Sequence, residues 1–402
     1  MWSGDEEQAF LRVLRRYEAL NPGIAIRNLG SVRDDTKTIR AIVAGVPPDV
    51  FTISDPQMLG PLAAQGAVED LEERFHRSGM RDADFLPGAL SQCRYKGRLY
   101  AMPYLLDCFA LLWSKQAFRK AGLNPERPPR TIEELDAFAR RLTVRDPAGN
   151  LEQLGLAPLS NRSFFAGDMT LLFHLFGGRL YDPATNRVTP DAPQNVQALE
   201  WYTKLIAATG GYGRVNAFAA GFGQAQGGNN PFFMGKIAMM INGQWNPYWA
   251  ETYAPGLEYG VAPLPAPSWR PDLARTTWLG GNLFCIPRGS KHPQESWRLL
   301  AWMQSPEAQV LFADAMHGVP NVKSVLHTPS LRTGAPWRVQ FGKYMDLAAS
   351  PTAGHFPVLP VASLYSTSLG DAVDFILEGS KPIRRALADV RVRVQRELDR
   401  YR

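Results

Sequence analysis

Apolar residues recur at helical spacing from the start of the chain. Phe10, Val13, Leu14 and Tyr17 share one face behind the capping-box pattern Ser3-Gly4-Asp5-Glu6, and Asn21-Pro22-Gly23 ends the run. Ile24 and Ile26 predict a short strand, residues 34–44 a second helix closed by Gly45, residues 48–53 a buried strand and 56–65 a third helix. Residues 95–100 predict a hairpin turning at Lys96-Gly97, and 109–113 another strand. Thr131-Ile132-Glu133-Glu134 is a second capping box, opening a helix to about residue 142. Helical patterns follow at 167–176 and 191–208, then strands at 237–241, 260–262 and 283–286. The remainder is mainly helical: 292–303, a helix capped by Ser305-Pro306-Glu307, then 337–348, 365–377 and 382–401. The alternation of the two periods predicts an α/β protein.

Composition narrows this further. The 402 residues are 45% hydrophobic and 20% charged, which fits two or three folded domains and excludes a disordered chain, a collagen or a coiled coil. The formal charge is +6, and much of the excess lies in Arg384, Arg385, Arg391, Arg393, Arg396, Arg400 and Arg402 on a helical pattern. No aromatic platform interleaves them, so they predict a solvated helix face and no nucleic-acid partner. Cys93, Cys108 and Cys285 form no C-x-x-C pair, and Cys108 and Cys285 sit in apolar runs as buried thiols. No apolar run approaches a membrane span, and residues 1–7 carry no secretion signal.

Hydrolase, zincin, Walker and zinc-ribbon motifs are absent, and the six histidines are scattered, so neither a metal nor another cofactor is predicted. The glycine-rich stretch 221–230 predicts a flexible loop without the third glycine of a dinucleotide fingerprint. What remains is aromatic and amide-rich. Trp245 and Trp249 stand four apart after Asn242-Gly243-Gln244, Trp278 precedes Gly280-Gly281-Asn282, and Phe164 and Phe165 follow Ser160-Asn161-Arg162-Ser163. A tryptophan at a strand end among glycines and amides can stack on the apolar face of a sugar while neighbouring polar groups bind its hydroxyls.

Several strings, taken in order, resemble the family 1 extracellular solute-binding proteins of ABC importers, the maltose-binding type. They are Ala44-Gly45-Val46-Pro47-Pro48-Asp49-Val50, Tyr95-Lys96-Gly97-Arg98-Leu99-Tyr100-Ala101-Met102-Pro103-Tyr104 and Trp113-Ser114-Lys115-Gln116-Ala117-Phe118. Ala121-Gly122-Leu123, Phe233-Met234-Gly235-Lys236-Ile237-Ala238-Met239-Met240-Ile241-Asn242-Gly243 and Ile286-Pro287-Arg288-Gly289-Ser290-Lys291-His292-Pro293 complete the set. The resemblance implies a two-lobed, type II periplasmic-binding-protein-like α/β fold with discontinuous lobes joined by hinge crossings. One lobe would hold residues 1–108 and 259–316, the other 109–258 and 317–402. The implied function is capture of a sugar or oligosaccharide in the cleft, hinge closure and delivery to permease subunits of an ABC transporter.

The implied ligand-binding residues are Ser3, Gly4, Asp5 and Glu6 after the family's first strand, and Ser54, Asp55 and Gln57 after the second. Asp107 at the hinge, Phe164 or Phe165, Gln244 and Trp245, then Trp278, Gly281 and Asn282, and finally Tyr365 and Ser366 complete the implied site. The maltose-binding type has a tryptophan where this chain has Ser366, so maltose itself is not implied. The resemblance also implies a monomer in the periplasm or anchored outside the cytoplasmic membrane, and a first strand lying upstream of Trp2. Two other classes remain open: a carbohydrate-active hydrolase using carboxylates such as Asp55 and Asp107, and a sensory or interaction module built on the same lobes.

Overall fold

The computed structural model describes residues 5–29, 35–159, 169–222 and 227–401. The helix Asp5–Leu20 buries Ala9, Phe10, Val13, Leu14 and Tyr17 on the predicted face, and Asn21 Nδ2 donates to the Tyr17 carbonyl at its end. The strand predicted at Ile24 and Ile26 does not form. There the Ile26 amide donates to Glu18 Oε1 at 2.7 Å, so a helix side chain takes the place of a ladder partner. The third predicted helix divides into a 3-10 turn, Pro56–Met58, and the helix Leu59–Ala64. A further helix, Tyr212–Ala220, escapes the sequence pattern because Gly210, Gly211 and Gly213 make its start read as a loop. At the second capping box Thr131 Oγ1 accepts from the Glu134 amide, but Glu134 returns its bond to the amide of Arg130.

Two antiparallel sheets organise the molecule. In the first, Leu283–Cys285 lies between Phe51–Ile53 and Met102–Pro103, with Thr52 opposite Phe284. In the second, the long strand Asp107–Ser114 lies between Met239–Gly243 and Tyr259–Ala262, and Leu279–Gly280 pairs with its first residues. That central strand is buried from Cys108 onward, as a strand covered on both faces must be.

Where the sheets meet, three pieces of chain run side by side. Residues 104–106 connect Met102–Pro103 to Asp107–Ser114, and Gly281 and Asn282 connect Leu279–Gly280 to Leu283–Cys285. The third piece follows the helix Pro306–Met316, and Val319 exchanges two backbone hydrogen bonds with Leu106, both 2.9 Å. The Tyr104 amide donates to the Asn282 carbonyl. Gly281 packs so closely that a Cβ there would stand 2.1 Å from the Leu105 carbonyl oxygen. Fully buried Asn321 ties this waist: its Nδ2 donates to the carbonyls of Pro103 and Tyr104 and to Gln304, and its amide donates to Gln309.

Residues 259–262 pair with the far end of the second sheet's central strand, Ala266 bridges Thr131 and Ser268 bonds Glu133, so this segment stays with the second sheet until Leu279–Gly280. Residues 317–331 stay with the first: Val322 bridges Phe85 and Lys323 Nζ donates to the Ala83 carbonyl. Arg332 then bonds Asp346 in the helix Pro336–Ala348, which packs on the second sheet. The C-terminal helix Ile383–Leu398 buries Ala386, Leu387, Val390, Val394 and Leu398 and leaves Arg384, Arg385, Arg393 and Arg396 in solvent, a solvated face as predicted. All three cysteines are buried.

The waist is expected to limit stability. Asn321→Ala leaves buried carbonyls short of a donor and should lower the urea-unfolding free energy by about 1–3 kcal/mol. Lys323→Ala, which removes only an exposed contact nearby, should change it by less than about 0.5 kcal/mol.

Candidate functional site

Two glycines shape an aromatic wall on the second sheet's side of the waist. The strand Met239–Gly243 ends at Gly243, opposite Phe109, and the chain folds so that the Trp245 indole lies back over it. A Cβ on Gly243 would stand 2.2 Å from that indole. Gly280 plays the same part for Trp278, where the corresponding distance is 2.4 Å. Phe109 fills the space between. Its ring stacks on Trp278 at 5.1 Å and 18° and meets Trp245 edge-on at 6.1 Å and 82°. Such offset-stacked and edge-on pairs are the favoured aromatic geometries. Trp249 stands a further 6.1 Å from Trp245. The three tryptophans are half-buried, so the wall is held by the core yet keeps open surface.

The polar groups around the wall are mostly committed to holding it. Thr277 Oγ1 accepts from the Phe109 amide and donates to the Phe109 carbonyl, which fixes that residue. Gln244 is buried; its Oε1 accepts from the Cys108 amide at 2.8 Å and its Nε2 donates to Asp107 Oδ1 at 2.9 Å. Both ends of the Gln244 amide are thus engaged, one on the Cys108 backbone and one on Asp107. Asp107, half-buried at the start of the central strand, is the carboxylate it orients beside the wall.

On the first sheet's side, Ser54 and Asp55 are exposed at the end of Phe51–Ile53, and Asp55 Oδ1 accepts from the Gln57 amide at 3.0 Å. Gln57 is half-buried at the start of the 3-10 turn. The helix Ala362–Leu377 packs on that turn, with Ser363 Oγ donating to Met58 Sδ, and Ser366 is half-buried within it. Residues 354–361 span from wall to turn: Gly354 bridges Trp278, and the Leu359 backbone lies against Gly60, where a Cβ would be 2.0 Å from the Leu359 oxygen. Gly281 is buried backbone and Asn282 half-buried, both at the waist.

Tyr365 is completely buried and its hydroxyl donates to the Leu180 carbonyl at 2.7 Å, so it braces the helix from behind. Ser3, Gly4, Phe164 and Phe165, and the side chains of Asp5 and Glu6, lie outside the described residues. Phe109 and Thr277 were missed by the sequence reading, because one is hidden in an apolar strand and the other gives no pattern. Trp249 was signalled by its spacing from Trp245. Among the described residues no group of His, Cys, Asp or Glu could hold a metal ion, and no helix is long and apolar enough to cross a membrane.

Behind the wall a second aromatic group spans the waist. Tyr248 stacks on His317 at 3.6 Å and 17°, and Trp337 meets both edge-on at 5.8 and 5.1 Å. Arg338 lies over the Trp337 ring at 5.2 Å and pairs with Asp314 at 2.6 Å. His317 ends the helix Pro306–Met316 in a left-handed conformation, φ 54°. Burial, with the Arg338 charge adding to it, holds the His317 imidazole neutral by pulling its pKa down to about 4.

The model of the bacterial extracellular solute-binding protein family matches residues 3–310. The maltotriose-binding protein of Pyrococcus abyssi (strain GE5 / Orsay) is 24% identical over 339 residues, which cover 82% of this chain and 66% of the relative. A putative binding protein of Brucella abortus (strain 2308) is 26% identical over 301 residues, covering 73% of this chain and 68% of its own length. The chain thus spans about two thirds of the length of these curated relatives. Among solved structures, CpMnBP1 with mannotriose bound matches with a TM-score of 0.81 at 27% identity, over 98% of both chains. The sugar-binding protein MalE from Xanthomonas citri shares the fold, with a TM-score of 0.78 at 21% identity, over 99% of this chain and 96% of its own.

The histidine at the waist makes stability depend on pH. With a folded pKa near 4 and an unfolded value near 6.5, His317 contributes stability that is complete above pH 6.5 and is lost as pH falls toward 4. His317→Asn keeps a residue tolerant of the left-handed conformation and removes this titration. The fall in melting temperature between pH 7 and pH 5 should therefore be smaller in the variant than in the wild type. His174, also pulled down to about 4 by burial, keeps the slope from vanishing.

Proposed function

The chain belongs to the bacterial extracellular solute-binding protein family, and we propose that it captures a sugar or oligosaccharide for an ABC importer and delivers it to the membrane permease. The observation that carries this reading is the wall of Trp278, Phe109 and Trp245 with Asp107 oriented beside it. A pyranose has an apolar C–H face that an indole can cover and a rim of hydroxyls that donate to a carboxylate. Hydrogen bonds to an ionised acceptor are about twice as strong as neutral ones. The relatives point to the same ligand class, since their names or bound molecules are maltotriose and mannotriose.

In this reading the binding cleft lies between a first half, residues 1–106 and 281–331, and a second half, residues 107–280 and 332–402. The second half supplies the aromatic wall. Ser54, Asp55 and Gln57 on the first half reach the ligand's other hydroxyls, and the N-terminus of Asp5–Leu20 favours polar groups nearby. Bending of the three waist segments brings the halves together, the hinge type of domain closure. The protein acts as a monomer outside the cytoplasmic membrane, and it binds without transforming its ligand.

Titration calorimetry and thermal shift against mono-, di- and trisaccharides test this. A bound sugar at 100 times its Kd should stabilise the fold by about 2.7 kcal/mol and raise the melting temperature accordingly. Trp245→Ala should weaken binding about tenfold or more, because burial of such a ring is worth about 1.5–3 kcal/mol. Tyr365→Phe should leave affinity unchanged while lowering stability by about 1 kcal/mol. Release of shorter sugars on prolonged incubation would show a hydrolase instead.

A further inference from the structure

Gly60 lies in the first turn of the helix Leu59–Ala64, just beyond Gln57. Its backbone is helical and has no positive φ, so the conformation itself suits any residue. Alanine would even be the better helix former. What excludes a side chain is the backbone of Leu359. A Cβ on Gly60 would stand 2.0 Å from the Leu359 oxygen, 2.5 Å from its carbonyl carbon and 2.8 Å from its nitrogen. These are main-chain atoms and cannot swing aside as the end of a side chain can. Leu359 is fastened to the other half of the molecule. Its carbonyl accepts from the Ala362 amide at the start of Ala362–Leu377, the helix that Tyr365 ties to the Leu180 carbonyl. Upstream, Gly354 donates to the Thr277 carbonyl at 3.0 Å and accepts from the Leu279 amide at 2.8 Å. Two side-chain contacts flank the meeting point: Ser363 Oγ donates to Met58 Sδ at 3.4 Å, and Ser91 Oγ lies 2.6 Å from His355 Nε2. The seam thus joins surfaces far apart in the chain, beside Gln57 and Ser366 and away from the waist.

We propose that Gly60 is a closure residue: the halves shut by seating the Leu359 backbone on the bare Cα of Gly60, and this contact tunes ligand affinity while offering the ligand no side chain. The inference rests on the proposed capture of a sugar by hinge closure and deepens it. A guest is fully bound only when both halves reach it, so the apparent Kd is the intrinsic Kd divided by the fraction of molecules able to close. A methyl group on Gly60 overlaps the Leu359 carbonyl and stops the halves short. The aromatic wall and the Ser54, Asp55 and Gln57 loop then no longer grip the same sugar together. In the open form the methyl group meets no carbonyl, so the ligand-free protein tolerates it.

The test combines calorimetric titration of the full chain with mannotriose and with maltotriose, small-angle X-ray scattering with and without the sugar that binds, and ligand-free melting. The wild-type radius of gyration should fall on saturation. Gly60→Ala should raise the Kd at least about tenfold, and Gly60→Val further, with a smaller contraction at saturation. The ligand-free melting temperature of Gly60→Ala should stay within about 2 °C of wild type or rise. Ser363→Ala, which removes a flanking contact without adding bulk, should change the Kd less than about threefold. An unchanged Kd in Gly60→Val overturns the proposal and leaves sugar binding standing, as does a wild type that binds without contracting. A ligand-free melting temperature lowered by several degrees in Gly60→Ala also overturns it, because the contact is then a fixed part of the open fold. A wild type that binds neither sugar overturns the sugar reading and this proposal with it.

Discussion

The structure depends on three strands of chain being held together where its two sheets meet. Each sheet is small, and neither could place a side chain reliably against the other without a fixed joint. Buried Asn321 supplies that joint by bonding carbonyls of one crossing while its own amide is held by Gln309 in the helix before the third crossing. Gly281 allows the second crossing to lie directly on the first. Backbone groups buried in such a place must find partners, and here they find them in one another and in the amide side chains of Asn321, Gln304 and Gln309.

Around this joint the chemistry is unevenly divided. The second half carries the flat apolar surface, and its rigidity comes from parts that never reach the surface. Gly243 and Gly280 make room for the indoles, Thr277 clamps Phe109, and Gln244 aims Asp107. The first half presents small polar groups on a loop braced by its own 3-10 turn. In the proposed function a rigid wall suits a ligand with one apolar face and many hydroxyls, because ordering the wall has already been accomplished by folding. Behind the wall, the stack of Tyr248 on His317 joins the halves through uncharged rings, and burial keeps the imidazole neutral.

Much of the fold was legible from the sequence. The amphipathic spacing of Phe10, Val13, Leu14 and Tyr17, the cap at Thr131 and the apolar run after Asp107 each report local forces that act within a few residues. Trp245 and Trp278 stand out among glycines and amides, and Trp249 by its spacing from Trp245. Other features left no such trace. Ile26 reads as strand but is held by Glu18, and no local pattern signals that the Tyr365 hydroxyl finds the Leu180 carbonyl.

What the sequence alone determined was therefore the α/β class, most elements, and the residue types that could form a carbohydrate-like site. Only the tertiary structure decided that Gln244 bonds Asp107, that Phe109 packs between Trp278 and Trp245, and that residues 259–262 pair with the second sheet. The reason is physical. Periodicity and capping are set by neighbours along the chain, whereas burial, pairing and side-chain orientation at the waist are set by segments more than a hundred residues apart that meet only once the core has closed.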